Sequence, residues 1–266
     1  MKTADYRLIA ADIDGTLLNS KGELTERTIA AVRAAVSKGV YFVLSTGRPF
    51  QGIKNLVGHL GLKKMPYILF NGAIVMIGGS VVSSLDLDQA DALAIVREGH
   101  ARNSTMICWS QNRLYSEFID EKITFYKSIS GVEPIVVSSL SDVVENGITK
   151  FVWYDGVEKT KENFKQLKMK FGKTVNVAPS RVDFLEFYNK NCTKSTALRI
   201  ICDELNIKRE NCVAIRDGFN DLPMLEFAGL SVASGNADIE VKSRCDIVTA
   251  SCDDDGVAKI IEEFIL

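Results

Sequence analysis

The chain keeps returning to one pattern: a short apolar run that stops on a polar turn. Arg7 to Ala11 reads RLIAA and stops at Asp12. Val40 to Leu44 reads VYFVL and stops at Ser45-Thr46-Gly47. Cys212 to Ile215 reads CVAI and stops at Arg216-Asp217-Gly218. Runs of this length without a polar face suit strands of a parallel sheet that is covered on both sides. Amphipathic segments stand between them. Thr25 can cap a helix over about 26–37 that puts Ile29, Val32 and Val36 on one face, with Gly39 as its stop. Ser195 to Leu205 carries Leu198, Ile201, Cys202 and Leu205 on one face. Further helices are predicted over Leu222 to Phe227 and about Gly256 to Phe264, and a short strand over Ser231 to Ala233. Strand and helix alternate, which predicts an α/β fold with right-handed crossovers between parallel strands.

The middle of the chain breaks this pattern. Residues 84–188 contain two helical patches, Gln89 to Arg102 and Thr160 to Phe171. Strand-like pieces accompany them at Thr105 to Trp109, Arg113 to Tyr115, Ile148 to Tyr154, Thr174 to Ala178 and Asp183 to Phe187; both Trp are here. We read 84–188 as an α+β domain inserted into a split core of residues 1–83 and 189–266. Tyr67 to Val82 is the most membrane-like stretch. It is too short for a spanning helix, which needs about 20 apolar residues, and Asn71, Gly72, Gly78 and Gly79 interrupt it. Two buried strands around a turn are expected there.

Composition narrows the function. Over 266 residues, 32 Lys and Arg face 34 Asp and Glu, so no basic excess advertises a nucleic-acid or anionic-membrane partner. Six cysteines lie scattered at 108, 192, 202, 212, 245 and 252, with no CxxC pair and only two His, which disfavours a zinc site. Their scatter points to a reducing compartment. The opening MKTADYRLIAADIDG lacks the apolar core of a signal peptide, so the cytoplasm is expected.

The residues with chemical potential sit where the apolar runs end. Asp12 and Asp14, in DIDGT, fall at the carboxyl edge of the predicted sheet, where open α/β folds bind ligands. Gly15 permits a tight turn that brings both carboxylates towards one point. Two close carboxylates repel unless a cation or shared proton relieves them, and an all-oxygen donor set suits Mg²⁺. Thr46 and Gly47 offer a hydroxyl and free N–H groups ahead of a helix, an anion cradle or an ordinary turn. Lys194 opens a predicted helix, where the dipole disfavours a cation; it is either solvated or aimed at an anion. In RDGFND, Asp217 and Asp221 can approach a metal beside Asn220, although Asp221 is also a good helix cap.

Taken together and in this order, LIAADIDGTLLNS, FVLSTGRP, ILFNGAIV, CTKSTAL and AIRDGFNDLPMLEFAG resemble the haloacid dehalogenase-like (HAD) phosphatases, most of all the Cof-type hydrolases with a C2 cap. The resemblance covers the split core and implies a Rossmann-like parallel-sheet core with an inserted α+β cap. It implies a Mg²⁺-dependent phosphomonoesterase acting on a small phosphorylated metabolite, a sugar phosphate or nucleotide, with no nucleic-acid or membrane partner. Asp12 would be the nucleophile and Asp14 the general acid, its carbonyl also on Mg²⁺. Thr46, Gly47 and Arg48 would hold phosphate, Lys194 would neutralise it, and Asn71 and Asn220 would border or orient it. Asp217 and Asp221 would complete the metal site. A phosphomutase or phosphotransferase on the same core is the alternative, as is a weakened phosphate-binding descendant. The latter is motivated by Arg216, which stands where the Cof-type pattern has Gly. Strand alternation predicts that Arg216 starts away from the metal, into the packed layer beside the first strand or out around the loop. Trp109, Arg113, Tyr115 and Arg181 are candidate pocket residues of the cap.

Overall fold

The computed structural model describes residues 5–218 and 222–266. From the N-terminus, β1 (Leu8–Asp12), α1 (Glu26–Ser37), β2 (Tyr41–Ser45), α2 (Lys54–Leu60), β3 (Tyr67–Leu69), β4 (Ile74–Ile77) and β5 (Ser80–Ser84) form the first run. A second run follows: α3 (Gln89–Ala101), β6 (Thr105–Ser110), β7 (Arg113–Ser116), α4 (Glu121–Ser130), β8 (Ile135–Val136), β9 (Lys150–Tyr154), α5 (Val157–Phe171), β10 (Val175–Arg181) and β11 (Phe184–Asn189). The chain ends with α6 (Lys194–Glu204), β12 (Cys212–Arg216), α7 (Leu222–Phe227), β13 (Leu230–Ala233), α8 (Ile239–Ser243), β14 (Ile247–Val248) and α9 (Gly256–Phe264).

Among the described residues the strands make two sheets. The eight-stranded sheet has the order β14-β13-β12-β1-β2-β3-β4-β5 and the six-stranded one β10-β11-β9-β6-β7-β8. The chain divides accordingly. One compact unit takes in the chain up to Gly47, Ile53–Ser83 and Thr193–Leu266; the other takes in Arg48–Gly52 and Ser84–Cys192. The second unit thus runs past 188 to Cys192 and claims a five-residue loop from the first run.

In the first unit every pairing from β14 to β3 is parallel, and β1 sits between β2 and β12. Leu8 and Ala10 of β1 join Val43, Ile68, Ala214 and the inner face of α6 in one apolar layer. Ile9 and Ala11 are equally buried and, by strand alternation, face the other layer. That is why Leu8 to Ala11 has no polar position to spare.

The stretch from 67 to 82 departs from the two buried strands expected. Buried β3 is followed by antiparallel β4 and then by β5, whose Val81 and Val82 are exposed at the sheet's edge. Hydrophobicity alone does not separate an edge strand from a buried one, because β-branched residues suit any pleated surface.

The second unit is α+β, with a core of its own. Met106, Cys108, Phe151, Trp153, Leu185 and Phe187 pack from its sheet against α3 and α5. On the opposite face Lys150 and Glu186 form a buried ion pair at 3.0 Å. Trp109 is wholly buried and donates from Nε1 to the Tyr126 hydroxyl at 2.9 Å, so it is a core residue and does not line an open pocket. Arg181 stacks its guanidinium over Phe125 and Phe184.

Candidate active site

β1 ends on Asp12, and the chain at once tightens into a turn over Ile13–Leu17 in which Gly15 has φ +73°. The turn is pinned from outside. Asn236 donates from Nδ2 to the Gly15 carbonyl at 2.8 Å, and its own Oδ1 accepts from Ser234 Oγ and the Cys252 amide. The turn leaves Asp12 buried and Asp14 exposed.

Lys194 is the first residue of α6, whose cap is Thr193, with Oγ1 accepting from the Thr196 amide at 3.0 Å. Its ammonium is buried and donates to Asp12 Oδ1. The cation at the unfavourable end of the helix is therefore aimed at an anion, not at solvent. Burial pulls it down to about 8, against the upward pull of Asp12 and with Arg216 adding to the depression.

Asp217 follows β12. Its Oδ1 accepts from Thr16 Oγ1 at 3.2 Å. A methyl group built on Gly15 would stand 2.4 Å from Asp217 Oδ2, so the missing side chain of Gly15 is what admits the second carboxylate. Burial, then the charge of Asp12, raises the Asp217 carboxyl above its ordinary range.

The third corner comes from β2 and β3. Asp12 pairs in register with Ser45, which places Thr46, itself buried, next along the edge. Thr46 is tied to the Asn71 turn by two backbone bonds: its amide donates to the Ile68 carbonyl, and its carbonyl accepts from the Asn71 amide. Asn71 Oδ1 lies 2.9 Å from where a Gly47 Cβ would stand. Next in the chain, Gly72 has φ +100°, and a Cβ there would fall 2.3 Å from the Thr193 carbonyl oxygen. Only glycine serves at this position, where the Asn71 turn meets the start of α6. Gly72, Thr16 and Asn236 were not picked out from the sequence. The signal for Gly72 was its place after Asn71 in a turn; Thr16 was hidden inside the DGT run.

The structure thus brings Asp12, Lys194, Asp217, Thr46, Gly47 and Asn71 to one edge of one sheet. Asn220 and Asp221 lie outside the described residues. Arg48 belongs to the second unit, where Nη1 donates to the Gly52 carbonyl at 3.4 Å. No helix begins at Gly47: a 3₁₀ turn over Phe50–Ile53 intervenes before α2. Arg216 takes the courses expected of it, beside the first strand and along the loop towards Gly218. It is the last residue of β12, buried, and one step beyond the Ala11–Ile215 pairing, which sets it beside Asp12. Burial lowers its guanidinium, while Asp12 and Asp217 both pull it back up.

Among the described residues no group of three or more His, Cys, Asp or Glu gathers to hold a metal. The donor set nevertheless fits a hard cation. The carboxylates of Asp12 and Asp217 and the backbone carbonyl of Asp14 are all oxygen, and the missing side chain of Gly15 leaves room for the Asp217 carboxylate.

Sequence comparison decides the family. The profile of the haloacid dehalogenase-like hydrolases matches residues 9–261. The chain belongs to that family. As a haloacid dehalogenase-like hydrolase it is 29% identical to the 5-amino-6-(5-phospho-D-ribitylamino)uracil phosphatase YcsE of Bacillus subtilis (strain 168), over 98% of this chain and 97% of that one. TM0651 of Thermotoga maritima superposes with a TM-score of 0.89 at 34% identity, covering 97% of each chain. The HAD subclass IIB sugar phosphatase BT4131 gives 0.81 at 26%, over 97% of this chain and 98% of that one. The chain is a HAD phosphatase of the Cof type, with the family's parallel-sheet core. Among its described residues no helix is long and apolar enough to cross a membrane.

Proposed function

We propose that this HAD phosphatase hydrolyses the phosphomonoester of a small polyhydroxylated metabolite, a sugar phosphate or nucleotide, through an aspartyl-phosphate on Asp12, with Mg²⁺. The observation that carries the reading is the buried contact of Lys194 with Asp12 at a sheet edge that also holds Asp217. Similarity to enzymes named for a ribityl phosphate and for sugar phosphates supports the substrate class.

Phosphoryl transfer asks chiefly for positioning and charge neutralisation. The Asp12 carboxylate attacks phosphorus while Lys194 offsets the charge of nucleophile and phosphate together. Thr46 and the Gly47 amide hold the phosphoryl oxygens. As the ester P–O bond breaks, its electron pair leaves with the alkoxide, and Asp14 supplies the proton that makes it an alcohol. Asp14, exposed to solvent, then takes a proton from water, whose oxygen attacks phosphorus and releases inorganic phosphate and the Asp12 carboxylate. Mg²⁺, held by Asp12, Asp217 and the Asp14 carbonyl, with Asp221 as further support, would supply charge stabilisation to the phosphoryl oxygens. Asn71, Asn220 and Arg48 are the remaining phosphate-side candidates. The second unit acts as the cap that selects the leaving group, because core residues meet only phosphate. The work is done in the cytoplasm, where thiols such as these six stay reduced.

A screen of phosphorylated metabolites for Mg²⁺-dependent phosphate release tests the reading. Asp12→Asn should keep the fold, by circular dichroism, and lose at least a thousandfold in turnover, on the order of the loss from removing a catalytic group. Full turnover in Asp12→Asn, or transfer of phosphate to a sugar hydroxyl with none released, refutes it.

A further inference from the structure

Cys202 and Cys212 stand outside the site described above, yet they belong to two elements that reach it. Cys202 lies in the last turn of α6, whose first residue is Lys194; Cys212 opens β12, whose last residue precedes Asp217. Their sulfurs are 3.3 Å apart, and the two residues are 2% and 0% exposed. Closing them to the S–S bond length takes a shift of about 1 Å.

The pair is not symmetric. Cys202 lines a cleft of about 410 Å³ together with Arg199, Asp203 and Phe227, whereas Cys212 does not line it. A small molecule in the cleft therefore meets the Cys202 sulfur first. Either thiol can donate to the other, and Cys212 can also donate to the Lys208 carbonyl at 3.5 Å. Once Cys202 ionises, the roles are fixed, and the Cys212 S–H donates to the thiolate. That bond holds the Cys202 thiol below its ordinary range, against burial and Asp203 and with help from Arg199; the same bond, and burial, raise Cys212. The thiolate is the nucleophile of sulfur chemistry, so the sulfur that faces the cleft is also the one that ionises first.

We propose that Cys202 and Cys212 form a peroxide-oxidisable dithiol, in which Cys202 attacks and Cys212 resolves, and that the resulting disulfide staples α6 to β12. The Cys202 thiolate attacks one oxygen of hydrogen peroxide. The O–O bond breaks, and the departing hydroxide takes up the proton that Cys202 released and leaves as water. Cys202 is then a sulfenic acid. The Cys212 sulfur attacks it, the S–O bond breaks, and hydroxide leaves with the Cys212 proton as a second water. The two sulfurs together lose two electrons, and peroxide gains them. In a reducing compartment the pair rests as two thiols, and a thiol reductant returns it to that state by exchange.

The test uses the full chain in native buffer, treated with hydrogen peroxide, alkylated with iodoacetamide and digested with trypsin. Cleavage after Arg199, Lys208, Arg209 and Arg216 puts the two cysteines on separate peptides, Ile200–Lys208 and Glu210–Arg216. These should be found joined, lighter by two hydrogens than their sum, and should separate in dithiothreitol. The thermal unfolding midpoint should rise by roughly 5 °C on oxidation and fall back on reduction, because the bond constrains the unfolded chain. In Cys212→Ser, peroxide should leave on Cys202 a sulfenic acid that dimedone captures; in Cys202→Ser, Cys212 should stay reduced. Peptides left unlinked in the folded parent overturn the proposal, and that result needs no variant. Dimedone labelling of Cys212 in Cys202→Ser as fast as that of Cys202 in Cys212→Ser overturns the assigned roles. A linked form that unfolds at the temperature of the reduced protein overturns the staple.

Discussion

Gly72 shows how much a single missing side chain controls. Its φ of +100° is a conformation that side-chain-bearing residues avoid, and its Cα hydrogens face the Thr193 carbonyl where a methyl would stand 2.3 Å away. Gly72→Ala must therefore both strain the turn and push the start of α6 outwards. Strain of this kind costs about 1–3 kcal/mol. The larger effect should be catalytic, because Lys194 is the first residue of α6. We expect turnover to fall at least tenfold at a temperature where chemical denaturation shows the variant still fully folded. A fall in stability with unchanged turnover would show that the Thr193 contact serves folding alone. At this scale the sequence was legible where residue chemistry is unusual for its place: Asp12 after an apolar run, Lys194 at a helix start. It flagged Arg216 but left two courses open for it, because alternation tells where a side chain leaves the strand and not where six further atoms of a flexible guanidinium-bearing stem come to rest.

Among the elements, those with a clean period were the easiest to foresee. The helices at Glu26–Ser37 and Gly256–Phe264 and the strands ending at Asp12 and Ser45 stand where the apolar pattern puts them. α4 and β8 were not foreseen. EKITFYKSIS buries Ile123 and Tyr126 yet leaves Phe125 and Ile129 largely exposed, so its apolar residues do not share one face; β8 is two exposed residues long. The strands of the second unit carry another feature that patterning misses. β9 and β11 each place one charged residue in a buried position, Lys150 and Glu186, 3.0 Å apart. Neither is tolerable without the other: removing one partner of a buried pair costs about 3–5 kcal/mol, whereas replacing both by apolar residues of similar size can be neutral. Lys150→Met alone should lower the unfolding free energy by about that much, and Lys150→Met with Glu186→Leu should recover most of it. Equal loss in the single and double variants, measured by denaturant unfolding, would assign the effect to packing and not to charge.

For the molecule as a whole, the division into two units predicts separable folding. The second unit is nearly continuous in sequence, from Ser84 to Cys192, and encloses its own buried aromatics, Trp109, Phe151, Trp153 and Phe187. A fragment of residues 84–192 should fold by itself, with a cooperative thermal transition and dispersed amide resonances, since about 110 residues suffice for an independent core. A fragment without a cooperative transition would show that the loop Arg48–Gly52, through the Gln51 bond to the Asn112 carbonyl, is needed to close it. The inserted organisation was legible because the composition shifts at its edges. The loop's membership of the second unit was not, since it depends on contacts far apart in the chain.

The first unit has the opposite property. Its central strand, β1, is made first, and one of its two neighbours, β12, comes after the entire second unit. Thr16 and Asp217 are 201 residues apart, and Asp12 and Lys194 are 182 apart. On a ribosome adding about 5–20 residues each second, β1 waits on the order of ten to forty seconds with one apolar edge unpaired. An open edge is a template for foreign strands, so that interval is when the nascent chain has most need of a chaperone. Assembly of the site is then one of the last events of synthesis: a chain cut short just after Cys192 has Asp12 and a finished second unit, but neither Lys194 nor Arg216.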